Sequence, residues 1–358
     1  DSAYDQYQGA VPNVRVVDGI VKPGMSITFG AVDYSYEVTE VGIMRLGRVP
    51  QEKLSPGEVG YIIATIKDVS HTRVGDTVLD FDQKSEELLE GYKEVSSMVF
   101  AGLYPTESDD YENLRDALDR LKLNDASLHY VPESSIALGF GFRCGFLGLL
   151  HMEIIQERLE REFAVDLITT VPNVEYHVRL SDGVEATIEN PTALPDLGMI
   201  REISEPIVQA RILCPADYIG NIQKLCHDRR GIFKGMKYVD KQRVEMDFEL
   251  PLAEIVLDFY DKLKGGTRGY ATLDYDFLEF RAGDLVKLDI LVNGDVVDAF
   301  CVIIHQEKAM EYGRDLVRKL KALIPRQQFQ VALQAAIGGQ IIARTNVKAV
   351  RKNVTAKC

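Results

Sequence analysis

The chain has few cysteines and no long apolar run. Its five cysteines are odd in number, far apart and form no C-x-x-C pair, which argues against zinc and disulfide frameworks. No apolar segment approaches the roughly 20 residues that span a bilayer, and no signal peptide opens the sequence. We therefore expect a cytoplasmic protein without a transmembrane segment.

Motifs for nucleotide binding and catalysis are also missing. GTP binding needs a glycine loop ending in Lys-Ser or Lys-Thr, which holds the phosphates, and no G-x-x-x-x-G-K-[S/T] occurs here. Two D-x-x-G segments, Asp217–Gly220 and Asp228–Gly231, follow no phosphate loop, and Ile219, Ile222 and Cys226 recur like a buried helix face. The six histidines lack metal-site spacing. We predict no catalytic, cofactor-binding or metal-binding residue in this chain.

Charge is distributed unevenly. The formal net charge is −14, but residues 305–358 hold eleven Lys and Arg against three acids, a net +8, which leaves −22 for residues 1–304. An acidic body with a basic tip directs one end of a protein to phosphate, whereas a short basic run can equally be a solvated face. Charge alone gives the two interpretations equal weight.

The pattern of the first 83 residues predicts a small all-β barrel. Short apolar runs such as Val14–Val17 and Gly60–Ile66 alternate with turn signals rich in Gly and Pro. Pro12 cannot donate to a β-ladder, so we expect it on an edge strand.

Residues 91–183 and 205–283 each show the order strand, helix, strand, strand, helix, strand, which is typical of a ferredoxin-like α/β sandwich. In the first sandwich a helix stripe at Leu114, Ala117, Leu118 and Leu121 has helical spacing. A continuous strand is predicted for Leu167–Leu180. Between the sandwiches, Ser181–Ser204 carries Asn-Pro and Leu-Pro loop signals and is interpreted as a link.

Residues 284–358 complete a multidomain α+β chain with a C-terminal α+β unit. Two predicted strands flank Asn293-Gly294, a strong hairpin signal. A helix follows, with one apolar side and one basic side. The apolar side contains Leu316, Val317, Leu320 and Leu323, and the basic side contains Arg314, Arg318 and Lys321.

The pattern of Gly139–Gln156 predicts a strand rich in Gly and Phe, followed by a helix. The apolar residues at helical spacing are Leu147, Leu150, Ile154, Ile155 and Leu159. Phe140, Phe142 and Phe146 are predicted to lie in the core. A nucleophile pair of Cys144 and His151 is conceivable, but Cys144 lies among Gly, Phe and Leu residues, as a buried inert thiol does.

This stretch resembles the third domain of the elongation factor 4 (LepA) family, and the similarity runs from Asp1 to Cys358. Val21–Gly24, Pro56–Gly60 and Arg73–Thr77 are similar to the second domain of translational GTPases. Leu323–Phe329, Ala335–Gly339 and Arg351–Val354 resemble elongation factor 4 in particular. Elongation factor G is disfavoured, because Ser181–Ser204 is too short for the extra domain which that factor carries there.

The resemblance implies the C-terminal body of a ribosome-associated GTPase, without its GTPase domain and its extreme C-terminal tail. In the intact protein it implies GTP and Mg²⁺ as cofactors, the ribosome and tRNA as partners, and an action on tRNA position during elongation, with proposed back-translocation and a role in fidelity. It also implies a monomer and allows peripheral membrane association. A BipA-like ribosome GTPase and a non-enzymatic RNA-binding scaffold are the alternatives.

The basic residues of the C-terminal unit are the predicted RNA contacts. They are Arg314, Arg318, Lys321, Arg344, Lys348, Arg351, Lys352 and Lys357. Residues 344–352 would present four of them on one face if they were helical, although Ile341–Val347 can equally be a strand. Arg143 is the charged residue of the Gly/Phe strand. It is predicted to contact ribosomal RNA or the missing GTPase domain if it points outward, and to be paired if it points inward. We favour the inter-domain or RNA contact, because of the fork geometry of arginine.

Overall fold

The computed structural model describes residues 2–5, 7–30, 34–68, 71–72, 74–82, 88–89, 97–125, 127–256 and 258–350. These residues form five β-sheets and six α-helices, which confirms the multidomain α+β class. The chain divides into two compact units. The first contains Asp1–Ser97, Pro105–Val131 and Cys144–Leu167, and the second contains Met98–Tyr104, Pro132–Arg143 and Ile168–Cys358.

The N-terminal part is all-β, as predicted. Its strands are β1 Ser2–Asp5, β2 Gly9–Arg15, β3 Ser26–Phe29, β4 Ser35–Glu37, β5 Glu40–Met44, β6 Arg48–Gln51, β7 Val59–Ile63 and β8 Val78–Asp80. They form a five-stranded sheet of order β1-β2-β7-β5-β6 and a three-stranded sheet of order β4-β3-β8. Both sheets contribute to one apolar core, in which Ala10, Ile27, Phe29 and Ile62 are buried.

The edge position expected for Pro12 is wrong, because β2 lies between β1 and β7. Pro12 pairs with Ser2 of β1, whereas the pairing of β2 with β7 begins at Asn13. The N–H of Ala10 donates to the Ile66 carbonyl, so the nitrogen of Pro12, two residues on, points to that same side. Proline is tolerated there because the missing donor falls where the ladder with β7 has not started.

The next segment has the predicted order of strands and helices. It consists of β9 Val99–Pro105, α1 Tyr111–Lys122, β10 His129–Ser135, β11 Gly139–Phe146, α2 Leu149–Phe163 and β12 Leu167–Thr169. Its sheet has the order β10-β11-β9-β12. The apolar stripe predicted for α1 is confirmed. The buried residues of the helix are Leu114, Ala117, Leu118 and Leu121. In α2 the buried residues are Met152, Ile155 and Leu159, whereas Leu150 and Ile154 are exposed, so the apolar face is rotated from the predicted one.

Close packing explains the small residues of β11. A Cβ atom on Gly141 would lie 2.4 Å from Cδ1 of Tyr104 and 2.5 Å from the Leu103 carbonyl oxygen, so no larger residue fits without a backbone shift. Phe142 and Phe146 are buried, as predicted. Phe140 is 73% exposed, so its assignment to the core is wrong.

The predicted strand Leu167–Leu180 is not continuous. After β12 the chain forms the short strand β13 Asn173–Val174 and then β14 Tyr176–Leu180, which belongs to the following sheet. The predicted link also contains structure: β15 Glu185–Ile188 pairs with β14, and β16 begins at Ile200. Backbone pairing, which the loop signals did not reveal, therefore runs through Ser181–Ser204.

The fourth sheet follows the second predicted sandwich closely. Its further elements are β16 Ile200–Pro215, α3 Ile219–Asp228, β17 Ile232–Tyr238, β18 Arg243–Pro251, α4 Leu252–Val256, α5 Phe259–Gly266 and β19 Thr272–Ala282. The strand order is β15-β14-β16-β18-β17, and β19 pairs with β16. Where the predicted order has its second helix, the structure has two short helices, α4 and α5.

The C-terminal unit contains β20 Leu285–Val292, β21 Asp295–Val296, β22 Val302–His305, α6 Gln306–Leu323, β23 Val331–Ile337 and β24 Gln340–Val347. Its sheet has the order β21-β20-β23-β24, with β22 paired to β20. Asn293 and Gly294 have φ angles of 56° and 98°, the left-handed pair that a tight hairpin turn requires. The predicted hairpin is confirmed, and α6 covers one face of this sheet.

Candidate nucleic-acid interface

The helix α6 presents the predicted basic side to solvent. Val317 and Leu320 are buried, because they recur at helical spacing against the sheet. Leu323, which is predicted on the same apolar side, is 77% exposed. Residues Arg314, Arg318 and Lys321 are all exposed.

Two of these cations have neighbours on their own helix. The Arg318 guanidinium lies 2.8 Å from Asp315, and both side chains are largely exposed. Arg314 contacts the thioether of Met310. An exposed ion pair of this kind contributes little to stability and is screened by salt, so its arginine can exchange the carboxylate for a phosphate at little cost.

Arg344 and Lys348 lie on a different surface. Residues 340–347 form β24, so the helical alternative for 344–352 is wrong over this range. Ala343 and Val347 belong to the core that α6 covers, and alternation along the strand sends the exposed Arg344 side chain to the other face of the sheet. Lys348 follows the strand and is exposed.

The candidates therefore do not form one cluster. Three lie on the outer side of α6, Arg344 lies on the opposite face of the sheet, and Lys348 follows that strand. Arg351, Lys352 and Lys357 lie outside the described residues. The order of charges along the sequence could not distinguish these surfaces, because the helix and the strand have different side-chain periods.

Arg143 points inward and is paired, not outward as we favoured from the sequence. It is 8% exposed, and its Nε and Nη2 donate to Oε1 of Glu133 at 3.1 and 2.8 Å. The same carboxylate accepts hydrogen bonds from the Tyr104 hydroxyl, at 2.8 Å, and from the side-chain amide of Asn190. Burial and the bond to Glu133 raise the pKa of Tyr104. Through Glu133, Arg143 thus supports a contact between β10 and the segment that follows β15.

The sequence did not reveal a buried ionic network in the same unit. Arg230 donates to both oxygens of Glu205, at 2.7 and 2.8 Å, and to Glu254 at 2.9 Å. Arg229 pairs with Glu254 and Asp258. The two consecutive arginines Arg229 and Arg230, which follow α3, were the only indication of this network in the sequence. The sequence did not indicate which acidic residues pair with them.

Electrostatics hold this network in its charged form. Burial would raise the pKa of Glu254, but the hydrogen bonds and charges of Lys308 and Arg230 outweigh it, and the pKa is lowered. Burial likewise opposes the charge of Arg230, but Glu205 and Glu254 raise its pKa. Paired buried charges of this kind are costly to break.

The network bears on the GTP and Mg²⁺ implied for the intact protein. In the segment Asp228–Gly231, Arg229 and Arg230 both form ion pairs with carboxylates. The other D-x-x-G segment, Asp217–Gly220, lies at the start of α3. In the described residues no group of three or more His, Cys, Asp or Glu side chains is arranged to hold a metal ion. In the part of the chain that the structure describes, neither D-x-x-G segment therefore fits a nucleotide and its metal.

His151 is not available to Cys144. Its Nδ1 accepts the Leu147 N–H at 3.0 Å, and its Nε2 lies 2.7 Å from Oδ2 of Asp125. Since Nδ1 accepts the backbone N–H, Nε2 is the nitrogen that donates to the carboxylate. Cys144 is fully buried. The geometry is that of a structural link between α2 and the end of α1.

None of the helices in the described ranges has the length and apolar character that a membrane crossing requires.

Comparison with known families agrees with this architecture. Residues 9–79 match the model described as elongation factor Tu domain 2, and residues 202–291 match that of the elongation factor G C-terminus. Residues 292–358 match the model described as the GTP-binding protein LepA C-terminus. The chain is thus built from non-GTPase domains of translational elongation factors.

Whole-chain relatives identify the family. The chain is 55% identical over 358 residues to elongation factor 4 of Chlorobium chlorochromatii, 54% to that of Halalkalibacterium halodurans and 53% to that of Geobacillus thermodenitrificans. Each match covers 100% of this chain and 59% of the relative. The chain belongs to the elongation factor 4 (LepA) family.

A solved structure shares the fold over part of the chain. A crystal structure of a protein from Thermus thermophilus aligns with a TM-score of 0.51 and 18% identity, covering 78% of this chain and 54% of the other.

Proposed function

We propose that this chain is the ribosome-binding body of an elongation factor 4 type translation factor. The observation that carries the proposal is the identity of 53–55% to elongation factor 4 relatives along all 358 residues. The match of residues 292–358 to the LepA C-terminus favours this family over a BipA-like factor.

Four domains make up this body in our proposal. Residues 1–83 are a β-barrel, residues 91–183 and 205–283 are ferredoxin-like sandwiches, and residues 284–358 are the C-terminal α+β domain. Two sheets around one core support the barrel. The order of strands and helices in each following segment supports the sandwiches.

The intact protein hydrolyses GTP with Mg²⁺ and acts on tRNA position during elongation, with back-translocation and fidelity as its proposed roles. It acts as a cytoplasmic monomer whose partners are the ribosome and tRNA. GTP hydrolysis requires a further domain, because the sequence contains no phosphate loop. The chain contributes the binding surfaces. Its basic surfaces are attracted to the phosphates of RNA, whereas its acidic body is repelled by them.

The exposed cations of the C-terminal unit make the RNA contacts in this proposal. Exposure on α6 and at β24 supports the assignment, since a phosphate contact needs an accessible cation. The acidic remainder of the chain makes nonspecific binding elsewhere unfavourable.

Ribosome co-sedimentation tests the proposal. The 358-residue chain should pellet saturably with ribosomes at low salt and be released as salt rises, while a fluorescent guanine nucleotide should show no binding. Saturable micromolar GTP binding would contradict the domain assignment. A chain joined to a translational GTPase domain should hydrolyse GTP in response to ribosomes, and lack of any response would favour the non-enzymatic scaffold.

A further inference from the structure

A cleft separates α6 from the short helices α4 and α5. Its volume is about 560 Å³, and its walls carry Lys308, Asp315 and Lys319 on one side and Glu254 and Asp258 on the other. An open cleft does little to fix the angle between the helices that line it. The orientation of α6 relative to α4 and α5 therefore depends on the contacts that cross the cleft.

Lys308, in the first turn of α6, crosses this cleft. Its Nζ lies 2.8 Å from Oε2 of Glu254 and 2.7 Å from the carbonyl oxygen of Asp228. Asp228 is the last residue of α3, where helix carbonyls lack intrahelical partners and attract a cation. Among ion pairs of the described residues, Lys308–Glu254 alone joins residues 284–350 to residues 205–283.

The acceptor is built into the neighbouring domain. Glu254 is 7% exposed and is also held by Arg230. Arg230 in turn is held by Glu205, which is 3% exposed. The carboxylate of Glu254, which accepts the hydrogen bond from Lys308, is thus held in a fixed position by its other partners.

We propose that Lys308 is a positioning residue that orients the C-terminal domain, and with it the basic side of α6, relative to residues 205–283. Arg314 and Lys321 follow Lys308 on the same helix, so fixing its first turn fixes the direction of their side chains. Preorganised contacts of this kind reduce the entropy lost on binding. The affinity part of the proposal rests on the proposed tRNA contact, whereas the orientation part does not.

The test compares Lys308→Met with Lys319→Met in the 358-residue chain. Lys319 lines the same cleft on the same helix and is exposed, so both variants lose one charge. Lys308→Met leaves Glu254 paired with Arg230 and Arg229. Amide hydrogen exchange should become faster at residues 306–310 and 226–231 in Lys308→Met only, and Lys308→Arg should restore it.

Binding of tRNA gives the second readout. Lys308→Met should lower tRNA affinity about tenfold, the magnitude of one charge-assisted hydrogen bond, while the slope of log K against log salt stays unchanged because every cation that touches phosphate is still present. A slope smaller by about one would mean that Lys308 touches RNA itself and would overturn the proposal.

Unchanged exchange in Lys308→Met, or equal changes in both variants, would overturn the orienting role. Faster exchange with unaltered tRNA affinity would show that orientation does not matter for binding, and would overturn the affinity part. If the unsubstituted chain binds no tRNA, the proposed function fails, and the exchange data still decide the orienting role.

Discussion

Arg143 and Glu133 form a buried ion pair, in which Nη2 of the arginine lies 2.8 Å from Oε1 of the carboxylate. The side chains are 9% and 15% exposed. The pair places a charge inside the Gly/Phe strand β11. Tyr104 and Asn190 donate further hydrogen bonds to the carboxylate of Glu133.

Replacing Arg143 by Met should destabilise the protein by about 3 kcal/mol, because the buried Glu133 loses its counter-charge. The measurement is urea unfolding of the variant and the unsubstituted chain. Arg179→Met is the matched control: Arg179 pairs with Glu185 on the surface, where both side chains are largely exposed, and should cost less than about 1 kcal/mol. Equal effects would mean that the Arg143 pair contributes no more than a surface pair.

The α6 surface should contribute to RNA binding. Changing Arg314, Arg318 and Lys321 together to Glu should weaken tRNA binding and reduce the salt slope by roughly one unit for each phosphate that is no longer neutralised. Reversing Lys22, Lys53 and Lys67 of the N-terminal domain changes the net charge equally and should have less effect. Equal losses from both sets would indicate a response to net charge alone.

Arg344 and Lys348 can be tested separately, since Arg344 lies on the other face of the sheet from α6. Arg344→Glu with Lys348→Glu should also weaken tRNA binding if the RNA wraps around the C-terminal domain. The measurement is the same salt titration. A loss from the α6 set with none from this pair would restrict the interface to the helix.

Asp125 should contribute to acid sensitivity. Burial would raise its pKa, but hydrogen bonds from Ser127 and His151 outweigh burial and lower it below 3.8. The folded state therefore binds the proton less readily than the unfolded state. The stabilisation is complete above pH 3.8 and is lost as the pH falls through the lower folded-state value.

Asp125→Asn should accordingly lower the free energy of unfolding at neutral pH and flatten its decline below pH 3.8. Urea unfolding between about pH 7 and about pH 2.5 measures both effects, since this range spans the titration of carboxylates. Asp109→Asn, at an exposed position before α1, serves as the control. An undiminished decline in Asp125→Asn would show that other carboxylates carry the acid response.

Cys226 and Cys301 should resist thiol reagents in the folded state. Burial raises the pKa of each thiol to about 12, and a hydrogen bond to Asp289 adds to the shift at Cys301. Since the thiolate is the reactive form, peptide mapping after labelling at about pH 8 should find both unmodified in buffer and modified in urea. Rapid labelling in buffer would contradict their burial.

Much of the secondary structure was determined locally by the sequence. The stripe of α1, the Asn293-Gly294 hairpin and the strands β16, β18 and β20 follow from side-chain periodicity and turn chemistry, which act over a few residues. Domain matches also follow from sequence, because residue patterns along the whole chain are compared.

Tertiary structure decided what those local signals could not. Phe140 and Leu150 look apolar enough for a core, yet they are exposed, because burial depends on which neighbours cover a face. Pro12 sits inside a sheet because of the register of β7. The pairs Arg143–Glu133 and Lys308–Glu254 join residues 10 and 54 positions apart. No period along the chain encodes such distances, so only the folded backbone brings these charges together and gives them their roles.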